Sequence, residues 1–182
     1  MKFRILEVVL IVRLIQIKNI KIYIPALFII VLDQISKIWI DNNLPIGSTR
    51  NFIGEIIQLT HVKNPGIAFG ISVGDYRLLL IFLSIIATLY IAHIHWRERE
   101  NHIMIVTSFS LILGGAIGNL IDRLLIVLNK YIGVIDFIDA RYFGFPWIFN
   151  IADSGVTVGV ILYLCFSIYE RRQSFIQNEI KP

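Results

Sequence analysis

The sequence predicts an all-α membrane protein: four transmembrane helices with a small extracytoplasmic β-rich loop, or cradle. Three observations point there. Of the 182 residues, 56% are hydrophobic and the mean hydropathy is +0.72, beyond an ordinary soluble domain of this size. Four apolar segments are each long enough to cross a bilayer. Between the first two lies a stretch of turn glycines around IIQLT (56–60), which reads as short strands rather than helix.

The segments fall at 22–40, 78–95, 103–121 and 151–169. The first has 19 residues, which at about 1.5 Å per residue gives a rod close to the hydrocarbon thickness. It is interrupted by Asp33 and Lys37, four apart and so on one helix face. The second is uninterrupted and ends near His93 and His95, which read as interfacial side chains rather than ligands. The third contains Gly114, Gly115, Ala116 and Gly118, a small-residue patch suited to close helix packing. The fourth opens on Asp153 and contains the single cysteine, Cys165, which reads as a small apolar packing residue. Ahead of the first span, residues 1–21 form an extension in which VVLIV (8–12) is flanked by charge; it reads as a cytoplasmic interfacial helix. Residues 22–171 form one domain, with loops at 41–77 and 122–150, followed by a tail at 172–182.

Charge sets the orientation. With both termini on one side, that side holds ten Lys and Arg (Lys2, Arg4, Arg13, Lys18, Lys21, Arg97, Arg99, Arg171, Arg172, Lys181) against six on the other (Arg50, Lys63, Arg77, Arg123, Lys130, Arg141). The positive-inside bias therefore places both termini in the cytoplasm and the two long loops outside. The net charge of +4 does not indicate nucleic acid, because the basic residues flank apolar segments and form no aromatic-interleaved stripe. One cysteine excludes an intramolecular disulfide and a cysteine metal site, and four histidines without a ligand spacing give no zinc motif. No cofactor or metal is expected.

The chemistry is carried by polar groups that the topology gathers at one depth. Asp33 and Lys37 lie toward the outer end of the first span. Asn119, Asp122 and Arg123 end the third, Asp136 and Asp139 follow in the outer loop, and Asn150 and Asp153 open the fourth. Ionisable groups beside membrane-length apolar sequence are costly and mark function. Two of them, Asp136 in VIDFID (134–139) and Asp153 in FNIAD (149–153), provide the paired carboxylates of an aspartic protease: one holds a proton, the other activates water. Asp139 reads as a solvated loop residue, and Ser154 has no histidine partner for a serine mechanism.

In order along the chain, DQISK (33–37), NPGIAFG (64–70), GGAIGNLIDR (114–123), VIDFID (134–139) and FPWIFNIAD (145–153) resemble the motifs of signal peptidase II, the lipoprotein signal peptidase of bacteria. The resemblance covers almost everything after residue 22. It implies an intramembrane aspartic endopeptidase, a globomycin target, that cleaves diacylglyceryl-modified prolipoproteins just before the lipidated cysteine in the inner membrane. It implies Asp136 and Asp153 as catalytic residues. It also assigns Asp33, Lys37, Asn64, Asn119, Asp122, Arg123, Asn150 and Ala152 to substrate contact or support of the site. Partners are prolipoproteins and membrane lipids, and a monomer is expected. Pro65 and Ile67 depart from the small residues more usual in that stretch. A proton-coupled carrier would instead need polar groups at mid-membrane and repeated halves. A presenilin-like protease would need GxGD where this chain has Ser72 before VGD (73–75). A scaffold without chemistry is the third alternative.

Overall fold

The computed structural model describes residues 20–65, 77–128 and 132–180. The interfacial helix expected over VVLIV, the glycines 66, 70 and 74, and the VGD segment lie outside the described residues. Four long helices are α1 (Ile24–Asn43), α2 (Arg77–Arg97), α3 (Ile103–Val127) and α4 (Ile151–Ile180). Four strands, β1 (Thr49–Ile53), β2 (Ile57–Asn64), β3 (Val134–Asp139) and β4 (Ile148–Phe149), pair antiparallel in that order. Three helices are long and apolar enough to cross a membrane, over Leu78–Arg97, Ile103–Val127 and Ile151–Gln177. The 20-residue α1, with Asp33, Lys37 and Asp41, is not among them.

The helical layer is polar inside and apolar outside. In α1 the buried residues are Ala26, Asp33, Lys37 and Ile40, one stripe at helical spacing, while Leu27, Phe28, Val31, Ile35 and Ile38 point outward. That is the arrangement a helix needs between lipid and a polar interior. Pro25 sits in the first turn, where a missing N–H costs nothing, and the free Ala26 N–H is taken by Ser110 Oγ of α3 at 3.0 Å. Helix α3 packs against the other three. Its small residues let them approach: a Cβ on Gly114 would lie 2.7 Å from Ala26 O, and one on Gly115 would run into the Ala152 carbonyl. The packing role expected of this patch holds.

The loop 41–77 contains the strands expected of it, as a hairpin turning at Gly54 with φ +55°. VIDFID, expected as outer loop, is instead strand β3 between β2 and β4. Its odd positions Ile135 and Phe137 pack with Ile40 at the end of α1, which fastens the sheet to the bundle. Three further expectations are corrected. Helix α3 runs four residues past Arg123, because Leu124, Leu125, Ile126 and Val127 continue its apolar pattern. Helix α4 continues to Ile180, so most of the expected tail is helical. Cys165 is exposed on α4 rather than packed inside.

Candidate active site

Alternation along β3 puts its two carboxylates on opposite faces. Val134 and Asp136 share one face, and Val134 is paired with Asn64 of β2, so Asn64 and Asp136 are diagonal neighbours on that face. Asn64 Nδ2 donates to Asp136 Oδ2 at 3.1 Å. Asp139 lies on the opposite face and is not solvated as expected. It is 2% exposed, accepts from Thr60 Oγ1 at 2.8 Å, and pairs with the Arg141 guanidinium. Those Arg141 bonds hold its carboxyl down at about 2. A charge so paired ties β3 to Thr60 of β2 and to Arg141.

Asp153 lies in the first turn of α4, where unpaired backbone N–H groups favour negative charge. Its Oδ2 accepts from the Asn150 N–H at 3.2 Å, and its own N–H donates to Asn150 Oδ1 at 2.9 Å. This reciprocal cap fixes the Asn150 amide: its oxygen faces Asp153 N–H, so its NH2 must face the other way. There it donates to Asp136 Oδ1 at 2.7 Å. One buried asparagine thus touches both carboxylates and ties β3 to the start of α4. Asn119 Nδ2 donates to Asp153 Oδ1 at 2.7 Å. Each carboxylate therefore receives two N–H donors.

The two aspartates line one cavity of about 340 Å³. Asn64, Asn119, Asn150 and Arg123 also line it, and Leu80, Leu83 and Ala87 of α2 supply an apolar wall. Arg123 stands in the field of Asp153, Asp122 and Asp136. Asp136 is 5% exposed, and burial raises its carboxyl to about 6. The Asn64 amide opposes that rise, and the Asp153 charge adds to it.

Behind the cavity lies a second cluster. Lys37 Nζ is 2.7 Å from Asp33 Oδ2 and 2.7 Å from Asp122 Oδ2, with all three side chains at most 2% exposed. The i,i+4 pair expected in α1 is present, and Asp122 of α3 completes it. Asp33 Oδ1 accepts the Ala152 N–H at 2.9 Å, so the same cluster seats the start of α4. Asp33, Lys37, Asp122 and Ala152 do not line the cavity. Sequence reading missed Gln34, whose Nε2 reaches Asp33, Asp122 and the Gly118 carbonyl at 3.1 to 3.3 Å. Its place inside DQISK was the available signal. It also missed the contacts of His61 and Lys63 with Asp41. His95, expected at an interface, is fully buried edge-on to Tyr23.

Comparison with known proteins gives the family of the chain. A family model described as Signal peptidase (SPase) II matches residues 25–169. A lipoprotein signal peptidase of Caulobacter vibrioides is 44% identical over 164 residues, 87% of this chain and 89% of that one. One from Clostridium tetani is 39% identical over 153 residues, covering 80% and 94%. A solved bacterial membrane enzyme is similar with a TM-score of 0.68 and 31% identity, over 83% of this chain and 89% of the other.

Proposed function

Because the chain belongs to the signal peptidase II family, we propose that Asp136 and Asp153 are the catalytic carboxylates of a membrane aspartic endopeptidase acting on diacylglyceryl-modified prolipoproteins. It removes the signal peptide by cutting just before the lipidated cysteine. The observation that carries this reading is the bridging of two carboxylates by Asn150 in the wall of a cavity that is polar on one side and apolar on the other.

Asp153 takes the negative charge, favoured by the α4 N-terminus and by Arg123, and Asp136 keeps the shared proton. Asp153 draws a proton from water as its oxygen attacks the scissile carbonyl carbon. Asp136 gives its proton to the carbonyl oxygen, leaving a neutral gem-diol. Asp153 then passes its proton to the leaving nitrogen as the C–N bond breaks, and Asp136 recovers one from the gem-diol. Asn64 and Arg123 face the cavity and are placed to hold the peptide backbone. Asn119 and Asn150 order the carboxylates, while Asp33, Lys37, Asp122 and Ala152 hold the helix ends in register. The acyl chains of the substrate stay in the bilayer along the α2 wall.

In this reading α1 is a fourth transmembrane helix and residues 22–171 form the peptidase domain. Both termini are cytoplasmic, the site lies near the outer leaflet, and the enzyme works as a monomer among membrane lipids. Asp136→Asn and Asp153→Asn should each abolish maturation of a prolipoprotein while the protein still inserts at normal levels. Normal maturation by both variants would sink the aspartic mechanism.

A further inference from the structure

We propose that Asn119 is a positioning residue whose side-chain amide is locked by the buried Lys37 ammonium, so that its NH2 is permanently presented to Asp153; this rests on the reading of Asp136 and Asp153 as the catalytic pair. The argument is one of hydrogen-bond polarity. An ammonium has donors only, so the Asn119 atom facing it must be the oxygen. Lys37 Nζ stands 3.3 Å from Asn119 Oδ1, and Asn150 Nδ2, a second donor, stands 3.2 Å from the same oxygen. With both neighbours donating, the amide has one orientation left, and Nδ2 lies 2.7 Å from Asp153 Oδ1.

The ammonium is itself immobilised. Asp33 and Asp122 hold it from α1 and α3, and Gln34 crosses between those two carboxylates. Breaking a buried ion pair by removing one partner is strongly unfavourable, so Lys37 has no alternative place to go. The charged groups surrounding Asn119 are thus Lys37 and Asp33 from α1, Asp122 and Arg123 from α3, Asp153 from α4 and Asp136 from β3. Asn119 contacts both Lys37 and Asp153. A free asparagine could turn its oxygen toward Asp153, replacing a donor with a repelling acceptor. The locked one cannot. The cluster behind the cavity therefore acts on the chemistry without touching substrate.

Two experiments on the full-length enzyme in lipid test this with a purified prolipoprotein substrate. The first neutralises the cluster in a triple variant, Asp33→Asn with Lys37→Met and Asp122→Asn, so that no unpaired charge is left buried. Its kcat per folded enzyme should fall about tenfold or more, with KM changed less than about twofold. Asn119→Ala should show the same split, and adding it to the triple should cause no further fall. Wild-type kcat in the triple, or losses that multiply when the two are combined, would overturn the proposal. The second holds even if the triple does not fold. A protonated carboxyl is isosteric with an amide: its carbonyl can face Lys37 while its O–H faces Asp153. Relative to the wild type at the same pH, Asn119→Asp should therefore regain activity as pH falls from about 8 to about 5, while Asn119→Leu stays about tenfold or more below it throughout. Asn119→Asp no better than Asn119→Leu at any pH would overturn the proposal. Asp136→Asn and Asp153→Asn run alongside: if they process substrate normally, the catalytic reading itself has failed. If they are dead and the Asn119 variants are normal, only the positioning role has failed.

Discussion

Asp136 is pulled in opposite directions by its surroundings. Burial lifts its carboxyl to about 6, and the Asn64 amide holds it below where burial alone would put it. The sign follows directly. Below about 6 the free enzyme has the proton that the mechanism needs on Asp136, and above it that proton is lost. At subsaturating prolipoprotein, kcat/KM should therefore fall on the alkaline side with a limb governed by this group. Asn64→Ala removes a donor that favours the ionised form, so it should move that limb to higher pH, whatever it does to the rate. Initial rates across the pH range check this; a limb that stays in place or moves down would show that Asp136 is not the proton carrier. Asp139, three residues on, makes the contrast at the same scale. Its guanidinium partner keeps it ionised throughout the range, and its face of β3 is turned toward Thr60. Asp139→Asn should leave the shape of the pH profile unchanged.

Among the elements, α3 sets the tolerances. Gly115 meets the Ala152 carbonyl, and a Cβ on Gly118 would fall 2.8 Å from Asp33 Oδ2 and 3.1 Å from Ala152 Cβ. Neither Asp33 nor the α4 backbone can yield, since they are bonded to each other. Gly118→Val should push α4 outward, separate Asn119 from Asp153, and cost about 1–3 kcal/mol in stability and most of the activity. Thermal unfolding in detergent together with processing rates reads both; a Gly118→Val protein with normal kcat would mean that the helix spacing does not set the site. This packing was legible in the sequence because small residues and helical spacing are local signals. So were the four long helices and the polar positions that interrupt them. The sheet was not. VIDFID carries Asp136 and Asp139 on opposite faces, a difference that appears only once β3 is paired to β2, and that pairing spans about 70 residues of chain. The contacts of Gln34 were not legible either, although its place inside DQISK marked it, because its partners Gly118 and Asp122 belong to a helix more than 80 residues away.

For the whole molecule, the placement of charge makes a claim about sidedness. The buried Asp and Lys side chains of the helical layer, Asp33, Lys37 and Asp122, lie from the middle of α1 and in the last third of α3, toward the end of the bundle that carries the sheet. The opposite end, at the turn from α2 to α3, carries Arg97, Glu98, Arg99 and Glu100 outside any such cluster. If α1 spans, its 20 residues give a rod of about 30 Å, matched to the hydrocarbon core. Four spans would then return the chain to the side where it began, and the excess of Lys and Arg predicts that side to be the cytoplasm. The chain has a single cysteine, Cys165, so Cys165→Ala gives a background on which one new thiol reports one location. Glu55→Cys, in the exposed turn between β1 and β2, should react with a membrane-impermeant maleimide added to intact spheroplasts. Asn101→Cys, exposed between α2 and α3, should react only after the membrane is opened. Labelling of both positions from the same side would show that α2 does not span. The reverse pattern would place the sheet, and the two carboxylates beneath it, in the cytoplasm, where the cleavage site of an exported lipoprotein could not meet them.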